Sequence, residues 1–122
     1  MDEEDIAIAL EFRNLIVELE RIAEEVFKRD LADSMKEDLL QLHERLYSDL
    51  KSLIAHGRSD IARVENAISR LPPSHEARRL FSELTESLER AERELERENY
   101  SRCMSEILVF LDSLRSLEIT FR

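Results

Sequence analysis

Four glutamates spaced three apart, Glu83, Glu86, Glu89 and Glu92, are the feature of this 122-residue chain that most invites a metal. Carboxylates in Glu-x-x-Glu order hold divalent cations when a facing helix brings a second acidic pair into the same cleft. Each step of three falls about 60° short of a full helical turn, so these four spread around an outer surface. Asp30 and Asp33 are the one weak partner pair, in a stretch that reads as a turn. The glutamates therefore read as a solvated face of mixed charge.

The three histidines, His43, His56 and His75, are the other candidates for proton or metal chemistry. None has a Glu three residues before it, so the paired Glu-x-x-His spacing of a di-iron bundle is absent. Phosphotransfer needs an exposed mid-helix His beside a Lys and a small residue. His43, in Leu42-His43-Glu44-Arg45, lacks those neighbours. His56, in Ala55-His56-Gly57-Arg58, has the small residue but sits at an expected helix break. Cys103 lies on an apolar stripe and reads as a buried, inert thiol. Gly57 is the only glycine, which leaves no Gly-rich loop to cradle a phosphate. No catalytic, cofactor-binding or metal-ligating residue is assigned, and no cofactor is expected.

Those residues have to be positioned by helices. Ile8, Phe12, Leu15, Leu19, Ile22 and Val26 alternate four and three apart, which places them on one helical stripe. The first helix is expected from Glu3 or Glu4 to about Lys28 or Arg29, with a tight turn at 30–33. Ser34-Met35-Lys36-Glu37 has capping-box form and should start the second helix. Its stripe is Met35, Leu39, Leu42, Leu46, Leu50 and Leu53. Gly57 is expected to break or kink that helix, with Ser59-Asp60 capping a short segment over about 59–71. Against a break, the stripe continues in phase through Ile61, Val64, Ile68 and Leu71.

Pro72-Pro73 ends this part of the chain, since neither proline can donate to a helix. Ser74 should cap a third main helix reaching about Arg97, with its stripe at Ala77, Leu80, Phe81, Leu84, Leu88, Ala91 and Leu95. After a short break at 98–101, the last helix carries Cys103, Ile107, Phe110, Leu114, Leu117 and Phe121. The fold expected is all-α: one domain over 1–122, an antiparallel bundle of four main helices, with the short fifth segment if Gly57 breaks the chain. The expected core is Ile8, Phe12, Leu15, Leu19, Ile22, Val26, Leu39, Leu42, Leu46, Leu53, Val64, Ile68, Leu84, Leu88, Leu95, Ile107, Phe110 and Leu114.

Two helices carry more apolar residues than one buried face requires. Ile6, Leu10 and Val17 form a second stripe on the first helix, interrupted by Arg13, and Met104, Leu108 and Leu111 widen the face of the last. Surplus apolar surface marks a partner site, so these six residues are the candidate interface. A second copy of the chain is the simplest partner, because two-fold homodimers are the commonest soluble oligomers. Another protein is the alternative occupant.

The function expected is a non-enzymatic interaction or scaffold module, self-associating as a homodimer. The alternatives are a metal-dependent bundle enzyme using clustered carboxylates, or an acidic chaperone-like partner of another protein. A net charge of −10 argues against nucleic acid and against an anionic membrane surface. The acidic start Met1-Asp2-Glu3-Glu4-Asp5 and the single cysteine point to the cytoplasm.

Overall fold

The alternating spacing of apolar residues builds four α-helices: α1 (Glu3–Asp33), α2 (Leu39–Ser69), α3 (Glu76–Glu96) and α4 (Tyr100–Thr120). The structure, a computed structural model, describes residues 3–33 and 39–120. No strand occurs among the described residues. The capping box at 34–37, with Met35, and Phe121 lie outside them.

The first correction concerns α1. It does not end at Lys28 or Arg29; residues 30–33 are its last turn rather than a tight turn. Nothing in that stretch stops a helix, since it has neither Gly nor Pro. The basic residues that suggested an end are used sideways. Lys28 Nζ pairs with Glu24 one turn back at 2.6 Å, and Arg29 pairs with Asp49 of α2.

The second correction is Gly57. α2 runs unbroken from Leu39 to Ser69, with no left-handed glycine and no fifth segment. An unbroken α2 of this length needs an equally long neighbour to cover it. α1 is that neighbour: both helices have 31 residues, about 46 Å at 1.5 Å per residue. Gly57 is buried and faces Phe110 of α4 and Leu88 of α3. Ser59 and Asp60 cap nothing; both are mid-helix.

Side chains close the chain's turns. At the end of α2, Ser69 Oγ and Arg70 Nε donate to the Asn66 carbonyl at 2.8 and 3.4 Å. Arg78 Nη1 reaches the Leu71 carbonyl at 3.1 Å. The cap of α3 is His75 rather than Ser74. His75 has extended backbone, and its Nδ1 accepts from the Ala77 N–H at 3.1 Å. α3 ends in a Schellman turn, in which Glu98 N–H donates to the Leu95 carbonyl and Asn99 N–H to the Glu94 carbonyl. Glu98 takes the left-handed position there, with φ 59°.

The core joins all four helices. Leu15, Leu19, Val26, Leu53, Val64, Ile68, Leu84, Leu88, Leu95, Ile107, Phe110 and Leu114 are buried as the spacing predicts. Ile22 and Leu46 are partly buried against that core, and Leu42 is half-buried. The side chains of Ile8, Phe12 and Leu39 lie outside the described set. Ion pairs tie neighbouring helices along the rims: Glu18 with His56 and Arg29 with Asp49 join α1 to α2. Arg13 with Glu118 and Arg115 with Glu20 join α1 to α4. Arg58 with Glu92 joins α2 to α3, and Arg90 with Glu106 joins α3 to α4.

Two substitutions test this backbone. A Cβ at Gly57 would lie 3.4 Å from Phe110 Cε1 and 3.6 Å from Leu88 Cδ2, ordinary contact distances. Gly57→Ala is therefore expected to raise unfolding stability by about 0.5–1 kcal/mol, the helix-propensity gain, in urea titrations. Were the helix broken there with a left-handed glycine, the same change would destabilise. Glu98→Gly removes the left-handed penalty of a side chain and should add about 1 kcal/mol.

Candidate functional site

The four spaced glutamates lie on the outer side of α3. Glu83, Glu86, Glu89 and Glu92 are all exposed. Glu83 pairs with Arg79 at 2.7 Å, Glu86 with Arg90 at 3.8 Å and Glu92 with Arg58. His43 is exposed on α2, with its ring edge-on to Tyr100 at 5.3 Å between centroids. His75 is the cap of α3. Cys103 is fully buried, and that burial, with the Glu94 carboxylate second, pushes its thiol up to about 11. A thiol held protonated in this way is a poor nucleophile.

The six candidate interface residues divide. Ile6, Leu10 and Val17 are 46%, 53% and 62% exposed, and Leu108 is 52% exposed. Met104 is half-buried against the core, and Leu111 lies inside it. Leu111 is thus a core residue and not part of any outer face. Its position between Phe110 and Leu114 turns it toward Leu19, Leu53 and Ile54 in the interior. Three more large apolar residues are exposed: Leu40, Val109 and Ile119.

Sequence reasoning missed a cluster at the α1–α2 interface. The buried polar residues among those described are Ser87 and Asp60. Ser87 is satisfied by donating to the Glu83 carbonyl at 3.1 Å. Asp60 is not: its side chain is 1% exposed and neither carboxylate oxygen accepts a hydrogen bond. Arg63 Nη2 approaches Oδ1 at 2.7 Å as a charge contact outside hydrogen-bond geometry. His56 Nε2 lies 3.8 Å from Oδ2, one turn back on the same helix face. From α1, Glu18 Oε1 accepts from His56 Nε2 at 2.8 Å. Donor atoms of Glu18, His56 and Asp60 all lie within 4.8 Å of one another.

The electrostatics of the two carboxylates diverge. Burial, followed by the charge of Glu18, pushes Asp60 above the ordinary aspartate range; Arg63 and His56 oppose the shift without cancelling it. The hydrogen bond from His56 holds Glu18 below its ordinary range. Two carboxylates and an imidazole converging from two helices are a set that can hold a proton or a divalent cation. The signal was present in the spacing. Leu53, Gly57, Asp60 and Val64 run four, three and four apart, which puts an aspartate on the buried stripe one turn after His56.

No protein family model matches the chain, and neither a curated protein nor a solved structure matches it. No helix among the described residues is long and apolar enough to cross a membrane.

The Asp60 environment fixes a pH dependence. Its folded-state affinity for a proton exceeds that of the unfolded chain, so folding is penalised once it must ionise. The penalty is absent below the ordinary aspartate range and grows as pH rises through the elevated folded value. In chelator-containing buffer, Asp60→Asn is therefore expected to raise stability at pH 7, where the wild-type carboxylate has to ionise. The gain should disappear by about pH 3, below the ordinary aspartate value, when denaturation midpoints are compared across pH.

Proposed function

We propose that this chain is a non-enzymatic helical interaction module: a single domain that pairs with a second copy of itself, using the outer face of α1. The observation that carries the reading is the row Ile6, Leu10 and Val17. These residues follow one another at four and seven positions, lie on one stripe, and are each about half exposed. A lone apolar residue at the surface is ordinary; an aligned row on a helix already buried on its other side is a partner surface. Leu108, on the neighbouring α4, extends the same reading. Leu111 takes no part in it.

The same proposal includes an antiparallel arrangement of the four helices. The rim pairs support it: Arg13 and Glu20 of α1 meet Glu118 and Arg115 of α4, in opposite chain order. Glu18 and Arg29 likewise meet His56 and Asp49 of α2 in opposite order. We place the module in the cytoplasm, supported by a lone buried thiol, with neither nucleic acid nor membrane as partner, supported by the charge of −10.

Two copies that each carry −10 repel, so apolar contact has to outweigh a charge penalty that salt screens. Light scattering should give a dimer at micromolar concentration that tightens between about 50 and 300 mM salt, as the Debye length shortens. Replacing Leu10 and Val17 by Glu should weaken it about a hundredfold, about 2.8 kcal/mol, with helicity unchanged by circular dichroism. A chain that stays monomeric at every concentration and salt level contradicts the proposal.

A further inference from the structure

Independently of the self-association face, we propose that Glu18, His56 and Asp60 bind a divalent transition-metal ion of the zinc class, which fastens α1 to α2. Asp60 is the reason to look for a ligand. A carboxylate 1% exposed, with two oxygens that accept no hydrogen bond and a single guanidinium contact at Oδ1, is costly to bury. Donor atoms of Glu18 on α1 and of His56 on α2 lie within 4.8 Å of its carboxylate.

The geometry suits a small, strongly polarising cation. Zinc bonds to imidazole and carboxylate near 2.0 Å, so adjacent ligand atoms in a tetrahedral shell stand about 3.3 Å apart. The separations found, 2.8 Å for Glu18 to His56 and 3.8 Å for His56 to Asp60, straddle that value. Two carboxylates match the ion's charge, and an imidazole nitrogen in the set favours zinc-class ions over magnesium, which prefers oxygen and keeps its waters. Three protein ligands leave a fourth position for water, on the side where Glu18 and His56 are only half-buried. On binding, the ion takes the place of the proton between His56 Nε2 and Glu18 Oε1, and the imidazole then carries its proton on Nδ1.

Arg63 works against the ion. Its guanidinium beside Asp60 Oδ1 puts a like charge next to the ion on the carboxylate whose Oδ2 faces His56. The proposed ion and the second copy also do not compete. Glu18 follows Val17 by one residue, about 100° around α1.

Calorimetric titration of the full chain with Zn²⁺ tests the site, with Mg²⁺ as a control. The expected result is one Zn²⁺ per chain at micromolar affinity or tighter, and no heat from Mg²⁺. His56→Gln and Asp60→Asn should each weaken binding at least tenfold, His43→Gln should leave it unchanged, and Arg63→Gln should tighten it. Circular dichroism checks that each variant is folded. In the unsubstituted chain, Zn²⁺ should shift the ring resonances of His56 and leave those of His43 and His75 in place. No binding of Zn²⁺, binding that survives both His56→Gln and Asp60→Asn, or resonance shifts confined to His43 or His75 would overturn the proposal. A monomeric chain that still binds one Zn²⁺ would refute only the pairing role.

Discussion

A single carboxylate buried between α1 and α2 sets the terms for this structure. Asp60 lies where the packing of α2 calls for an aliphatic side chain, and it is buried because α2 does not break at Gly57. The unbroken helix carries Gly57 and Asp60 inward together, at successive positions of the stripe that also holds Leu53 and Val64. Gly57 sits against the ring of Phe110, with room left for a Cβ. Asp60 is harder to place. Arg63 and His56 offset its charge in part, and neither satisfies its oxygens. A local rule broken in this way is where function is to be sought.

The matched lengths of α1 and α2 follow from the same continuity. A 31-residue α2 finds cover because α1 runs to Asp33, and pairs such as Arg29 with Asp49 use residues that a shorter α1 would have spent at its end. Continuity also fixes which residues of α1 and α2 face each other. Glu18 meets His56 because both helices hold their register past Gly57. A kink at that glycine would turn His56 and Asp60 away from one another.

Much of the fold was legible in the chain. The stripes through Leu15, Leu19 and Val26, through Leu84, Leu88 and Leu95, and through Ile107, Phe110 and Leu114 are buried as their spacing requires. Boundaries were legible where something forbids a helix, as at Pro72-Pro73, and at the end of α3, expected at about Arg97 and found at Glu96. Before α2 no Gly or Pro marks where α1 stops, and Lys28 and Arg29, which suit a helix end, are paired sideways instead. Gly57-x-Ser59-Asp60 has the form of a stop and a start, and that local chemistry masked the four-and-three spacing that places Asp60 inside. His75 took the cap from Ser74 because an extended backbone brings its ring nitrogen over the Ala77 N–H. The cluster itself needed coordinates. His56 and Asp60 share a helix face that spacing reveals, but Glu18 lies 38 residues away and joins them only through the packing of α1 on α2.

The most direct measurement is a site-resolved titration of the side-chain carboxyl carbons of Asp60 and Glu18 by NMR. The account predicts opposite displacements in the same molecule: Asp60 titrating above the ordinary aspartate range because it is buried, and Glu18 below the ordinary glutamate range because His56 donates to it. An Asp60 that titrates as a solvent-exposed aspartate would show that α2 does not carry it into the core, and would contradict the account at its base.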